Sequence, residues 1–462
     1  MHLINYRLWA AVSFLMFLPA CYATTRVYFL TSLPDTGTIS IAAQVAWLHL
    51  AFEVASEALL MPLYFVLGAV ATGIAALRHR ISAALRLTVL VYGVLVAVGW
   101  FCAHSWVVAM AVPEPMQTIT AQFLRLEALG QGVQAIGDLA LVVVVVLGRH
   151  RIVTCLAMAK TTVVIALDTV LVGTNGLALG VMGVAYTNLI ASVLFSLLGL
   201  WFLWRWRLLA VAPHKPRQNV RQAGQQLWRL EWRRIAVRAG FEAFVRNAAF
   251  AVMILRLVNQ AQSADVYWLA NTFVWSWLLL PVLSLGTVIR QDAGRCAGQL
   301  GVRWRAYLSL TVVITTVWLL TIPFWHAFVS GVMGYEDAQA VVDVLLVLLV
   351  FYTVFAFNSA LDSYFYGIGR TDLLLQQTLV VSLGYYGSAF AAYHLGLFQP
   401  DLHGIAVMFG MGIVLDGALT LWQFRRCGYD QQLQPDGGLA IVEPPKERPP
   451  PQAAQSVPIL PQ

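Results

Sequence analysis

Residues 355–373 read FAFNSALDSYFYGIGRTDL, and they close an apolar run of about thirty residues that begins near Asp343. A run of this length crosses a bilayer as a helix with some tilt. Asp362 lies inside it, seven residues before Gly369, so its carboxylate is expected roughly 10 Å inside the membrane boundary. An ionisable group at that depth is costly and rare, which favours a functional role. The alternative is a structural tether, with Asp362 paired to an arginine of a neighbouring helix.

The composition of the whole chain agrees with this interpretation. Of its 462 residues, 60% are hydrophobic and only 11% are charged, and the mean hydropathy is +0.73. Soluble proteins carry roughly twice that fraction of charged residues. The sequence therefore predicts a polytopic membrane protein. The net charge of +7 is explained by Lys and Arg residues in the loops between spans. It is not read as a nucleic-acid-binding surface.

Apolar runs of spanning length occur twelve times, from 8–30 to 403–424. The first run continues past Cys21 through Leu30, which favours a membrane helix over a cleaved signal sequence. Lys and Arg occur in every second loop, and the alternate loops 31–40, 111–117, 174–178, 258–265, 330–337 and 397–402 have none. By the positive-inside rule both termini are cytoplasmic. We expect a location in a bacterial inner membrane.

The two halves of the chain repeat each other. The segment that ends in Pro62 matches the one that ends in Pro281 at an offset of 219 residues, and Gly148-Arg149 matches Gly369-Arg370 at an offset of 221. Six spans per half, each half starting and ending inside, predict two parallel-related six-helix bundles in an all-α protein. Transporters built in this way bind substrate between the bundles. The matched prolines are candidate hinges or kinks, because proline removes a helical hydrogen bond.

The predicted domains follow from this pattern. Residues 1–204 form the first bundle and residues 233–427 the second. The basic, tryptophan-containing stretch 205–232 is a cytoplasmic connector that lies on the anionic leaflet. The tail 428–462 holds eight of the eighteen prolines, which predicts a disordered cytoplasmic segment.

With these features the sequence resembles the multidrug and toxic compound extrusion (MATE) family, within the superfamily that also contains lipid-linked saccharide flippases. The resemblance spans about residues 8–425 and rests on the 6+6 layout, on Gly180, Gly183 and Ala185 opening span 6, and on the Gly-x-Gly-Arg-Thr-Asp motif after span 10. It also rests on Glu242, an acidic residue early in span 7.

The resemblance implies a V-shaped pair of bundles that exports substrates in exchange for sodium ions or protons. Many members carry the cation on an acidic pair in spans 7 and 10, which corresponds here to Glu242 and Asp362. The sequence departs from the family at span 1, where members often carry an aspartate about ten residues after a proline. Here Pro19 is followed by Thr24, Thr25 and Arg26 instead. This departure shifts the expected coupling site to the second half.

The cation-coupling candidates are Asp362, Glu242 and Asn358. Sodium needs hard oxygen ligands with at least one carboxylate, and Asn358 lies on the same helix face as Asp362 at i, i+4. A sodium ion bound by Asp362 and Glu242 and a proton carried by a buried carboxylate are both compatible with these residues. For Glu242 the alternative is an ion pair with Arg246 at i+4 and no transport role.

Residues of the first half are candidates for the substrate cavity. Glu53 and Glu57 lie at i, i+4 near the middle of span 2, where they would attract a cation, and Asp138 is a further candidate. The alternative is that these glutamates pair with Arg26 or Arg125. Trp275 is a candidate for cation–π contact with a planar substrate, although the aromatic residues near it favour an interfacial belt.

Taken together, the leading functional hypothesis is a secondary-active exporter of amphipathic, cationic organic compounds that uses Na⁺ or H⁺ as coupling ion. The first alternative is a flippase for an anionic lipid-linked saccharide, suggested by Arg26, Arg125, Arg246 and Arg256 inside predicted spans. The second is a membrane scaffold or a lipid-acting enzyme. No catalytic pair, resident metal site, cofactor motif or phosphate-binding loop occurs, so we expect a non-enzymatic monomer in the lipid bilayer.

Overall fold

A computed structural model describes residues 4–33, 37–68, 70, 73–209, 220–295, 302–368, 370–397, 399 and 401–432. The described residues form twelve helical segments and no strand. The segments are α1 Tyr6–Thr31, α2 Thr38–Gly68, α3 Ile74–Ala109, α4 Glu114–Val146, α5 His150–Leu171, α6 Gly180–Arg205, α7 (Val220–Phe250, Ala251–Leu255, Arg256–Gln260), α8 (Ala264–Phe273, Val274–Leu278, Leu280–Arg295), α9 (Val302–Ala327, Phe328–Val332), α10 Ala338–Gly367, α11 (Thr371–Leu379, Val380–Tyr385, Tyr386–His394) and α12 Leu402–Gln432.

Length and hydropathy identify most of these segments as membrane helices. Within the described ranges, nine helices are long and apolar enough to cross a bilayer, and the bent pair in α8 makes a tenth. The two other segments have visible reasons for lying outside this set. Arginines and glutamates interrupt α7, and Gln376 and Gln377 lower the hydropathy of α11. The chain is therefore an all-α, multi-pass membrane protein, as predicted.

The two halves, α1–α6 and α7–α12, meet chiefly through two helix pairs. Helix α1 packs against α8, and α2 packs against α7. In the internal repeat, α1 corresponds to α7 and α2 corresponds to α8. The contact of α1 with α8 is therefore equivalent to the contact of α7 with α2. This arrangement is the one expected for two parallel bundles that are related by an axis along the membrane normal.

Inside the first half, small residues let α4 and α6 approach closely. A Cβ atom on Gly137 would lie 2.9 Å from the Ser196 hydroxyl, and one on Gly199 would lie 2.7 Å from the Ala140 Cβ. Side chains of this size allow the backbones of membrane helices to pack without a strong hydrophobic driving force. The second half does the same between α8 and α10, where a Cβ on Gly286 would meet the Ser363 hydroxyl at 2.6 Å.

Both candidate hinge prolines lie next to helix breaks. Pro281 follows the break at Leu279, where α8 bends by 49°. Pro62 is the second residue of Met61–Gly68, directly after the interruption of α2 at Leu60. Proline lacks the N–H that would bond the carbonyl four residues earlier, so it interrupts the helical hydrogen bonding at each break. A hinge motion at these residues stays a prediction.

The predicted domain boundaries meet the helices at two places. Residues 220–232, assigned to the connector 205–232, are helical and continuous with the rest of α7. At the other end, α12 runs on to Gln432, beyond the predicted start of the tail at 428. Most of the predicted tail, residues 433–462, lies outside the described residues, as do residues 210–219 of the connector.

Candidate functional site

The first candidate site is a carboxylate pair, Asp362 and Asp416, on the facing helices α10 and α12. The Asn358 amide donates a 2.7 Å hydrogen bond to Asp416 Oδ2, and the Thr420 hydroxyl donates one of 3.3 Å to Asp362 Oδ1. Asn358 and Asp362 are four residues apart on α10, and Asp416 and Thr420 are four apart on α12. Two hydrogen bonds, one helical turn apart, therefore join the two parallel helices at this site.

Hydrogen-bond acceptors outnumber donors at this carboxylate pair. The Thr420 hydroxyl has one proton, which is shared between Asp362 and the Asp416 backbone carbonyl at 3.0 Å. Asn358 is 2% exposed, and its Oδ1 atom has no hydrogen-bond partner among the described residues. Buried acceptors are normally satisfied, so an orphaned oxygen beside two carboxylates is able to accept a further hydrogen bond or to coordinate a cation. The donor set, all oxygen and with two carboxylates, suits a sodium ion or a proton.

Sequence analysis identified Asp362 and Asn358 but missed Asp416 and Thr420. A signal was available, because Asp416 is an ionisable residue within the apolar run 403–424. The argument that singles out Asp362 applies to it equally. What the sequence alone did not supply was the pairing of α10 with α12, which brings residues 58 positions apart into contact.

Glu242 does not join this pair and belongs instead to an inter-half ion cluster. Arg246 donates to Glu242 at 2.6 Å on its own helix and to Glu53 of α2 at 3.4 Å. Thr378 of α11 donates a weaker bond of 3.4 Å to Glu242, and Glu57 interacts electrostatically with the same group of charges. The alternative considered for Glu242, an ion pair with Arg246, is thus present. The described contacts of Asp362 do not include Glu242.

A polar cavity of about 240 Å³ lies in the first half, next to this cluster. Its lining includes two of the predicted substrate residues, Glu53 and Asp138, together with His49, Tyr92, Gln131 and Gln134. His49 and Gln131 share a 2.9 Å hydrogen bond. The cavity therefore combines two carboxylates with aromatic and amide groups, a set that attracts an organic cation.

The other two predicted cavity residues lie elsewhere. Glu57 is not part of the described lining, although it shares the inter-half ion cluster with Glu53. Trp275 is in the second half, where its ring packs edge-to-face on Phe355 with 6.0 Å between centroids, and 43% of it is exposed. The structure brings Glu53 and Asp138 together in one described lining, which does not include Trp275.

A separate ionic group in the first half is buried. Arg26 of α1 donates to both carboxylate oxygens of Asp168 on α5, at 2.9 and 3.3 Å. Asn188 of α6 donates to Glu127 Oε1 of α4 at 2.7 Å, and Glu127 also interacts electrostatically with Arg26. Glu127, which sequence analysis did not single out, is fully buried. Arg26 is thus a fixed cation inside the first half.

These contacts correct the predicted partners of the first-half glutamates. Glu53 was expected to pair with Arg26 or Arg125 if it had no transport role. Arg26 instead pairs with Asp168, and Arg125 donates to the Trp100 carbonyl at 3.0 Å. The partner of Glu53 is Arg246 of the other half, which helical spacing within one half does not reveal. Of the described residues, no group of three or more His, Cys, Asp or Glu side chains is arranged to hold a metal ion.

Comparison with known proteins adds the identity of the fold. No protein-family model and no curated protein matches the sequence. An inward-facing structure of a multidrug resistance MATE family transporter of the MOP superfamily matches with a TM-score of 0.75 and 15% identity, over 92% of this chain and 98% of that one. An outward-facing structure of a MATE transporter of the same superfamily matches with a TM-score of 0.64 and 16% identity, over 92% and 96%.

A third solved structure is a MOP superfamily transporter from Pyrococcus furiosus Vc1 (DSM3638), whose binding pocket of reversed polarity suggests a different function. It matches with a TM-score of 0.63 and 16% identity, over 93% of this chain and 97% of that one. All three matches are nearly full length. They show that the chain has a twelve-helix transporter fold. That fold is the one of the MATE transporters of the MOP superfamily, as the resemblance predicted.

Proposed function

We propose that the protein is a secondary-active exporter of amphipathic, cationic organic compounds. The observation that carries this proposal is the polar cavity, in which Glu53 and Asp138 face a space of about 240 Å³ beside the ring of Tyr92. Carboxylates supply the charge that a cation needs after losing water, and an aromatic face adds a cation–π contact. The fold supports transport by rocking of the two bundles.

The carboxylate pair supports coupling to an inward cation gradient. Asp362, Asp416 and the orphaned Asn358 Oδ1 offer two carboxylates and one amide oxygen to one Na⁺ or H⁺. All three lie on α10 and α12, away from the described lining of the polar cavity. Substrate and coupling ion would then bind in different halves, and their exchange would be linked through the relative movement of those halves.

The test measures ethidium accumulation in efflux-deficient cells while the sodium or the proton gradient is collapsed. The intact protein is compared with Asp362→Asn and with Asp416→Asn at equal amounts in the membrane. We expect the intact protein to lower accumulation, and each variant to lose most of that effect. Collapse of the coupling gradient should reproduce the loss and thereby name the ion.

The matched control is Asp372→Asn, the same chemical change at a carboxylate that is 57% exposed and paired with Arg370 at 3.1 Å. It should lower accumulation as well as the intact protein does. Unchanged dye export in Asp362→Asn and Asp416→Asn would exclude the carboxylate pair as the coupling site. If the intact protein exports no cationic dye, the proposed substrate class is wrong.

The second candidate function is a flippase for an anionic lipid-linked saccharide, and one observation favours it. The Nε atom of Arg256 in α7 is buried without a hydrogen-bond partner among the described residues. A guanidinium with an unused Nε donor could bind a diphosphate. The other three arginines inside spans are already engaged, which supports the cationic substrate over this alternative.

The remaining expectations are part of the same proposal. We propose a monomer without a cofactor, in a bacterial inner membrane with both termini in the cytoplasm. The structural neighbours are transporters by name, which supports a non-enzymatic protein over a lipid-acting enzyme or a scaffold. Protease accessibility of tags at each end in inverted and right-side-out vesicles tests the orientation.

A further inference from the structure

Glu53 is shared between two structural features. Its carboxylate lines the polar cavity of the first half, and it also accepts a hydrogen bond from Arg246 of the second half at 3.4 Å. The other described polar contacts between α2 and α7 do not involve the cavity. They include the bonds from Asn247 to the Leu50 carbonyl at 3.0 Å and from Trp232 to the Leu59 carbonyl at 3.3 Å.

The two bonds of Arg246 differ in strength. The bond to Glu242 is 2.6 Å long and joins residues one helical turn apart, and the Glu242 side chain is 21% exposed. The bond to Glu53 is 3.4 Å long, crosses between the halves, and ends on a side chain that is 44% exposed. Exposed ion pairs are weak and exchange readily. A competitor for Glu53 would therefore leave Arg246 held by Glu242.

We propose that Arg246 is a built-in competitor of the cationic substrate for Glu53. A cation that enters the polar cavity takes the place of the guanidinium at Glu53, and Arg246 stays on Glu242. Substrate binding thus removes one polar contact between the halves at the moment when they must move. This inference rests on the proposed function, and it adds a residue that sets affinity and links the occupied cavity to the contact between halves.

Charge explains why the exchange selects cations. The inter-half ion cluster holds three carboxylates, Glu53, Glu57 and Glu242, with Arg246 in direct contact and Arg290 acting on Glu57 electrostatically. The carboxylates of this cluster therefore outnumber its guanidinium groups. A bound cation both neutralises Glu53 and relieves the sharing of Arg246 between two carboxylates. A neutral or anionic compound does neither, so it leaves the contact between the halves in place.

The test is equilibrium binding of ethidium to the purified full-length protein, followed by fluorescence anisotropy at fixed pH and salt. Arg246→Gln removes the competitor, and the dissociation constant should fall about threefold to fivefold, the equivalent of an exposed ion pair. Glu242→Gln leaves Arg246 with Glu53 as its carboxylate partner, and the dissociation constant should rise. The two variants therefore move affinity in opposite directions.

The matched control is Arg238→Gln, which removes one positive charge from an exposed position on the same helix. It should leave the dissociation constant unchanged, so that a change in Arg246→Gln cannot be ascribed to net charge. Unchanged or weaker binding in Arg246→Gln, with normal binding in the intact protein, would overturn the competitor role alone. Absence of ethidium binding to the intact protein would overturn the proposed substrate class and this inference together.

Because Glu242→Gln keeps Arg246, it also serves if the arginine variant does not fold. Weaker ethidium binding in Glu242→Gln supports the proposal without any substitution at Arg246, and equal or tighter binding contradicts it. Cross-linking of a cysteine pair at Asn247 and Leu50 gives a second readout, since these residues already meet across the halves. Saturating ethidium should slow the formation of this cross-link in the intact protein more than in Arg246→Gln.

Discussion

Replacement of Asp168 by leucine should strongly destabilise the first half. The Asp168 side chain is 1% exposed and Arg26 is 13% exposed, and two hydrogen bonds join them. Removal of one partner leaves a guanidinium in a low-dielectric interior with no carboxylate in direct contact. Such a change costs about 3–5 kcal/mol of the free energy of unfolding. The face of the Tyr22 ring, 6.0 Å from Arg26, compensates for only a small part.

The double variant Arg26→Met with Asp168→Leu should recover most of this loss. Replacement of a buried ion pair by apolar side chains of similar size is often neutral or stabilising, because the desolvation cost of both charges disappears. Recovery will be incomplete, since Glu127 loses the electrostatic attraction of Arg26 and keeps only the hydrogen bond from Asn188. The coupling energy from the four proteins of this double-mutant cycle should therefore be favourable and large.

The assay is reversible unfolding in mixed detergent micelles, titrated with a denaturing detergent and followed by tryptophan fluorescence. Asp372→Asn is the reference for an exposed pair, because the Arg370 and Asp372 side chains are 48% and 57% exposed. It should cost less than about 1 kcal/mol. A cost for Asp168→Leu as small as that of Asp372→Asn would refute the reasoning. So would a double variant whose loss equals the sum of the two single losses.

Three further changes test packing and the helix breaks. Pro281→Ala restores the N–H that the 49° bend lacks, and it should slow ethidium efflux in proteoliposomes without changing dye affinity. Gly199→Leu places a large side chain where a Cβ already meets Ala140 at 2.7 Å, so the yield of monodisperse protein in gel filtration should fall severalfold. Asn259→Leu leaves the buried Gln44 amide without its partner at 2.8 Å and should cost about 1–3 kcal/mol in the same unfolding titration. A normal efflux rate, yield or unfolding midpoint would contradict the respective prediction.

The helices could be predicted from the sequence because each one satisfies its own backbone inside the membrane. Hydropathy therefore reports most spans separately, and the first and last predicted spans, 8–30 and 403–424, fall inside α1 and α12. The exceptions have local causes. The connector stretch 220–232 was not predicted as a helix, because its arginines and glutamines hide the continuation of α7 ahead of the membrane.

The partners of the charged residues were harder to predict, because they depend on which helices face each other. The i, i+4 pair of Glu242 and Arg246 was among the alternatives, since both residues lie on one helix. The pairs Arg26–Asp168 and Arg246–Glu53 join residues 142 and 193 positions apart. Spacing within a helix contains no information about such contacts, so the sequence singled out these ionisable residues without fixing their partners.

The two halves treat their buried charges in opposite ways, and this contrast assigns the proposed coupling role to the second half. In the first half, Arg26 supplies a permanent cation to Asp168 and acts on Glu127 as well. A mobile cation would have to compete there with a tethered one that is almost fully buried. In the second half, the described hydrogen bonds to Asp362 and Asp416 come from Thr420 and Asn358 side chains, which carry no charge, and Arg290 acts on Asp362 electrostatically without a described hydrogen bond. We propose that the positive charge bound by that pair comes from solution, because only a charge that comes and goes can couple a gradient to the movement of the bundles.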